Sequence, residues 1–172
     1  MTIFSQRILG IDPGTATVGY GALLHNTNND LTYLGSGTIQ TPKHLGSGKR
    51  LCMIRSDLIQ IIQEFNPDIL AVETIFFFKN AKTAMAVAQA RGVILEAAEA
   101  CSIPVAEYTP MQVKQQLTGY GKADKRLVQE MIASLLGLPS IIKPDDASDA
   151  LALAVCHVKL KYLLSSALEP AS

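Results

Sequence analysis

LGIDPGTATVGYG, residues 9–21, holds the only acidic residue among the first 29 positions, Asp12, where an apolar strand runs into Pro13-Gly14. Asp before Pro-Gly is sound turn chemistry, because its carboxylate can accept a hydrogen bond from its own backbone two residues on. The same carboxylate, at the rim of a sheet, is equally suited to hold a metal ion or a phosphate-bound ion. Around it the pattern predicts two strands, RILGID and TVGYGALL, joined by a tight turn. A third strand, LTYLGSGTIQ, follows the hairpin loop at Asn28-Asn29-Asp30. Three sequential strands with short links form an antiparallel meander.

Beyond the meander, the loop TPKHLGSGK leads to a helix at about 49–65, with Leu51, Ile54, Leu58, Ile61 and Ile62 on one stripe and Asn-Pro stopping it. A buried strand, ILAVE, comes next, then a long helix at about 80–101 and a short strand, VAEY. Helices are expected from about 110, over 124–136 and over 146–164. The order β-β-β-α-β-α-β-α-α-α predicts an α/β fold, a mixed five-stranded sheet of three antiparallel strands then two parallel, flanked by helices. One domain over 1–165 and a flexible tail at 166–172 are expected, without internal repeat or linker.

A chain of 172 residues buries enough surface for a core without staples. Cys52, Cys101 and Cys156 are odd in number and far apart, so they suggest neither a disulfide framework nor a zinc site and read as reduced, largely buried thiols. The first ten residues lack the basic and apolar regions of a secretory signal, and charges interrupt every apolar stretch before it could span a bilayer. A soluble, cytoplasmic protein without membrane contact is expected. Fifteen basic and fifteen acidic residues cancel, but their distribution is uneven. Lys43, Lys49, Arg50 and Arg55 lie in one stretch without an acid, and Lys79, Lys82 and Arg91 in a second. Lys114, Lys122, Lys125 and Arg126 face only Asp124 in a third. One such run is ordinarily a solvated face; three suit a nucleic-acid partner.

Two glycine patterns are decoys. LGSGKR lacks the first Gly and the final Ser or Thr of a phosphate-binding P-loop, since Lys43 and Arg50 stand there. GSGTIQ lies within a strand, where its glycines mark a bulge or close packing. The acids carry more. Glu73 ends ILAVE as Asp12 ends the first strand, so both stand near the middle of the sheet if those strands are neighbours. PDDASDALALAV places Asp146 and Asp149 on one face of a helix start, although Asp145 and Asp149 would also share a face. Helix capping is the plainer reading of such acids, and is taken for Asp145. Four converging carboxylates repel one another unless cations neutralise them. Two Mg²⁺ ions balance four such charges and suit phosphodiester hydrolysis, and carboxylates are the ligands that ion prefers.

GIDPG with Asp12, AVE with Glu73, FFFKNAKTA and QARG, VKQQLTGYGKADK, and PDDASDALALA together resemble the RuvC family of Holliday junction resolvases, in matching order along nearly the whole chain. The resemblance implies a ribonuclease H-like fold, a homodimer, Mg²⁺ dependence with Mn²⁺ able to substitute, and paired symmetric nicks in a four-way DNA junction during recombination and repair. The products implied carry 5′-phosphate and 3′-hydroxyl ends, and RuvA and RuvB are implied as branch-migration partners. It assigns catalysis and metal binding to Asp12, Glu73, Asp146 and Asp149, choosing Asp146 over Asp145 by the match of DASDA. Phe76 matches an aromatic set against a base at the junction centre, with Phe77 and Phe78 beside it. Lys114 and Lys125 match basic residues near the cleaved phosphate, and Lys79, Lys82, Arg91 and Lys122 complete the expected DNA contacts. His157 is expected to be a structural histidine. The apolar residues of the long helix, from Ala81 to Ala98, spread around much of its circumference, which suits packing on the sheet from one side and on a second copy from the other. An actin- or sugar-kinase-type ATPase also grips phosphate at strand-Asp-x-Gly, but needs a second domain for which this length leaves no room.

Overall fold

Strand β1 (Gln6–Asp12) ends at Asp12 as the sequence predicts, and the turn after it returns the chain antiparallel as β2 (Thr17–His25), which pairs in turn with β3 (Leu31–Gln40). On its other side β1 pairs in parallel with β4 (Ile69–Glu73), and β5 (Val105–Tyr108) continues the parallel half. The strand order is β3-β2-β1-β4-β5, so β1 and β4 lie at the centre. This computed structural model describes residues 5–74 and 81–167; Phe76, Phe77, Phe78 and Lys79 fall outside the described residues, as does the side chain of Lys82.

Among the described residues five helices complete the fold: α1 (Ser47–Phe65), α2 (Ala81–Ala100), α3 (Pro110–Thr118), α4 (Lys125–Leu135) and α5 (Asp145–Ala167). Their starts follow local chemistry. Thr109 and Gln112 form a reciprocal capping box ahead of Pro110, and the Asp124 carboxylate accepts from Leu127 N–H at 2.8 Å to cap α4. The last helix runs past the expected 164, to Ala167.

Period-two alternation divides the core. Leu9, Ile11, Leu70 and Val72 pack with Ile54, Leu58 and Ile94 of α1 and α2 on one face; Ile8, Ala71 and Leu23 pack with α3, α4 and α5 on the other. Helix α5 lies directly on β1 and β2 because the strands offer no side chain there. A Cβ on Gly10 would stand 1.8 Å from the carbonyl oxygen of Ala150, and one on Gly19 would stand 2.0 Å from that of Asp146. The strand glycines of β3 behave as expected. The register shifts between Ala22 and Leu23, leaving a bulge beside Gly35, and Gly35 and Gly37 lie against the rings of Phe65 and Tyr20.

One expectation is corrected. Of the three thiols only Cys156 is buried; Cys101 is half-buried and Cys52 is exposed. The apolar stripe of α1 turns Ile54, Leu58, Ile61 and Ile62 inward, and Cys52 sits off that stripe. Among the described residues no helix is long and apolar enough to cross a membrane.

Candidate active site

Ile11 of β1 pairs with Val72 of β4, so the next residue on each strand, Asp12 and Glu73, ends beside the other at the same edge of the sheet. Strand alternation fixes their face. Asp12 is an even step from Ile8, and Glu73 an even step from Ala71, so both carboxylates lie on the side covered by α5. That helix begins there, and its i, i+3 spacing puts Asp146 and Asp149 on one face of its first turns. A cleft of about 210 Å³ is lined by Asp12, Glu73, Lys114, Lys125 and Asp149. Asp146 lies beside this lining, close enough for its charge to act on both Asp12 and Asp149.

The electrostatics are those of a cluster short of positive charge. Burial first, then the carboxylates of Glu73, Asp149 and Asp146, push Asp12 from the usual carboxylate range up to about 8. Burial and the charge of Asp149 push Glu73 upward as well. Burial also raises Asp149, although its hydrogen bond from Lys125 Nζ, at 2.8 Å, opposes the shift. Burial draws Lys125 down, but its contacts with Asp149 and Asp145 outweigh that and hold it charged.

Asp145 differs from its neighbours. Its Oδ1 accepts from Lys143 Nζ at 2.6 Å and from Gln129 Nε2 at 3.0 Å, and these bonds, that of Lys143 foremost, hold its carboxyl down at about 2. It is occupied in joining α5 to α4 and to the preceding loop, in keeping with its reading as a structural acid at the helix start.

Among the described residues no three acidic, His or Cys side chains are drawn together tightly enough to make a ready-formed metal cage. The donor set nevertheless fits a hard divalent ion. It is all oxygen, and the carboxylates are pushed toward protonation where no cation discharges them. A consequence follows for stability. A carboxyl raised in the folded state favours the fold when protonated, so the metal-free protein loses stability as pH climbs from about 4 to about 8. Thermal melting in a chelator between pH 5 and 8.5 is expected to fall by an amount equivalent to a few kcal/mol. Excess Mg²⁺ should reverse the loss. A flat profile would remove the argument that these acids crowd one another.

Other expected residues are distributed unevenly. Lys114 is half-buried at the cleft and Lys122 is exposed on the α3–α4 connection. Arg91 forms an ion pair with Glu107, and its Nε donates to the backbone carbonyl of Glu73 at 3.4 Å, bracing the strand end that carries that acid. Phe76 and Lys79 lie outside the described residues. His157 is buried in α5, bonded through Nδ1 to the Tyr108 hydroxyl at 2.6 Å, and burial pulls it down to about 4. Its ring lies in the packing between α5 and β5, edge-on to Tyr108.

Sequence reasoning missed one device. Arg50 Nη2 donates to the carbonyl of Thr15 at 2.5 Å, and Arg50 Nε donates to Thr41 Oγ1 at 2.8 Å. Thr41 Oγ1 also donates to Thr15 O, and Thr41 N–H donates to Ala16 O. Helix α1 and the end of β3 thus clamp the turn that follows Asp12. Arg50 belongs to an acid-free run in the sequence, and only the fold reveals that the side chain faces inward.

A central pair of strands ending in carboxylates, crossed on one face by a helix whose first turns bring two more, defines a nuclease of the ribonuclease H-like class. The family model described as crossover junction endodeoxyribonuclease RuvC matches residues 8–157, and the chain belongs to that family. Crossover junction endodeoxyribonuclease RuvC of Syntrophomonas wolfei is 51% identical over 164 residues, covering 95% of this chain and 94% of that protein. The same enzyme of Halothermothrix orenii is 51% identical over 150 residues, 87% of this chain and 90% of that one. Among solved structures, Thermus thermophilus RuvC in complex with a Holliday junction substrate superposes with a TM-score of 0.83 at 30% identity, over 91% of this chain and 96% of that one. The yeast mitochondrial Holliday junction resolvase, at 15% identity and a TM-score of 0.70 over 96% of this chain and 85% of that one, shares the fold.

Proposed function

We propose that this chain resolves four-way DNA junctions as a homodimer, each copy hydrolysing one phosphodiester at the cleft of Asp12, Glu73, Asp146 and Asp149. The observation that carries the reading is the meeting of Asp12 and Glu73, from neighbouring parallel strands, with the acidic first turns of α5. The four carboxylates would hold two Mg²⁺ ions, with Mn²⁺ able to replace them. Bound there, such a pair supplies charge neutralisation and Lewis-acid activation of water and phosphate, leaving 5′-phosphate and 3′-hydroxyl ends.

The chain's own residues do the rest. Gly10 and Gly19 let α5 approach closely enough for its acids to join those of the strands. Arg50 and Thr41 hold the turn after Asp12 in place. Lys125 balances the acids and, with Lys114 on the cleft wall, offers an ammonium to the negative charge that grows on the phosphate. Phe76, Lys79, Lys82, Arg91 and Lys122 remain proposed DNA contacts, RuvA and RuvB proposed partners, and the cytoplasm the proposed location. The test is a synthetic four-way junction incubated with purified protein, with and without Mg²⁺. Symmetric paired nicks only with the metal support the reading; ATP hydrolysis without nicking overturns it.

The dimer rests on α2. Its buried side, Ala90, Ile94, Ala97 and Ala98, packs into the core with α1. On the opposite side Met85, Ala88, Gly92 and Leu95 form a second apolar row at helical spacing, and Met85 is 69% exposed. An apolar row left outside the core suits a twofold-related copy. Ala88→Glu is expected to convert a sedimenting dimer to a monomer and to uncouple the two nicks. A parent that sediments as a monomer at micromolar concentration would remove the argument.

A further inference from the structure

We propose that Tyr120, with Met111 beside it, is a stacking contact for a base of the DNA strand that the neighbouring lysines hold at the cleft. This rests on the junction-resolving function proposed above and adds a contact to it. Residues 119–124 link α3, which carries Lys114, to α4, which starts at Lys125. The link is stiff. Gly119 ends α3 in the left-handed conformation, with φ 76°, and its N–H donates to Gln115 O while its carbonyl accepts from Gln115 Nε2. Thr118 Oγ1 accepts from Tyr120 N–H at 3.1 Å, and Tyr120 O accepts from Ala123 N–H at 3.0 Å. Ala123 is buried and Asp124 is engaged as the cap of α4.

On this braced turn the Tyr120 side chain points outward, 60% exposed, and no ring among the described residues packs on it. Met111 is 66% exposed and lies against the same turn, since a Cβ on Gly121 would come within 2.9 Å of its Cγ. Among the described residues Tyr20, Tyr33 and Tyr108 are each partly buried, whereas this turn fixes an aromatic and a thioether in water. Lys114 of α3, Lys122 of the turn and Lys125 at the start of α4 belong to the same segment, and among the described residues neither Lys114 nor Lys122 is engaged in an ion pair. Charge complementarity selects the occupant. A row of ammonium groups around a flat apolar tip is the combination by which proteins hold phosphates while a base lies on a ring, and it is indifferent to base identity because every base has a π face.

The sequence contains no Trp, so Tyr120→Trp introduces a single indole as reporter. Equilibrium binding without divalent metal is measured against a four-way junction and a linear duplex of equal length. Tyr120→Ala is expected to weaken junction binding roughly tenfold and duplex binding far less, while Tyr120→Phe retains parental affinity. Junction addition should quench the Tyr120→Trp emission. Melting temperature and dimer sedimentation should match the parent. Unchanged junction affinity in Tyr120→Ala overturns the contact, as does an equal loss on duplex or a loss that tracks dimer dissociation or unfolding. If the unaltered protein itself fails to bind the junction, the functional reading falls and this contact with it; parental binding with an indifferent Tyr120→Ala removes the contact alone.

Discussion

Asp12→Asn is expected to abolish junction cleavage, by about 10³-fold or more, while the protein stays folded, binds the junction at least as well as the parent, and melts higher in a chelator. The activity loss follows from position. Asp12 is the acid on which the charges of Glu73, Asp149 and Asp146 all act, so a cation held among these acids would draw on its carboxylate. Losing several kcal/mol of charge stabilisation there corresponds to three or more decades in rate. The gain in stability follows from the same crowding. At neutral pH the fold must either ionise Asp12 against burial and three like charges or take up a proton to avoid doing so. An amide of the same shape needs neither. The variant should therefore lose most of the pH dependence of melting, and removing one negative charge beside the phosphates should tighten DNA binding. A variant that melts lower than its parent in chelator, with cleavage and binding lost together, would return Asp12 to a structural role at the turn.

Much of this arrangement is legible in the sequence. The strand boundaries at Asp12, Gln40 and Glu73 and the start of α3 at Pro110 are marked by apolar alternation and by strong stop residues, so pattern alone finds them. The convergence of Asp12 with Glu73 was legible only conditionally, because it depends on β4 pairing with β1 rather than adding to an edge. Three features were not legible, for one shared physical reason. The inward aim of Arg50, the ion pair of Arg91 with Glu107 and the contact of Lys125 with Asp149 each join residues far apart in sequence. A local run shows that acids are missing nearby and says nothing about which distant partner the fold brings. Lys125 illustrates the point: the family resemblance marks it as a neighbour of phosphate, whereas the fold also makes it the counter-charge of the acids. Cys52 shows the limit of composition, since the average burial of thiols does not decide the face of one helix.

Gly10→Ala and Gly19→Ala are both expected to destabilise strongly, because the atoms they strike are backbone and cannot swing aside. The new methyl would meet Ala150 O at 1.8 Å in the first case, and Asp146 O and C at 2.0 and 2.4 Å in the second. Overpacking of this kind costs about 1–3 kcal/mol and sometimes more. At this chain length 3 kcal/mol lowers the melting temperature by roughly 10 °C. The two variants should then part company. Gly10 lies under Ala150 and Ala154, so α5 must lift along its packed length, and the loss should register mainly as stability. Gly19 pairs with Asp12 and lies under Asp146, so its methyl forces apart two members of the acid cluster. A displacement of about 1 Å between groups that must act together costs on the order of 10² in rate. Cleavage by Gly19→Ala, measured well below its melting point, should fall by about that factor, and more than cleavage by Gly10→Ala under the same conditions. Gly48→Ala, with nothing within 4 Å of the new methyl, is the control and should melt at or above the parent. Melting of either strand variant within a few degrees of Gly48→Ala would show that α5 does not rest on bare backbone. Equal cleavage losses would detach the Asp12–Gly19 pairing from the placement of Asp146.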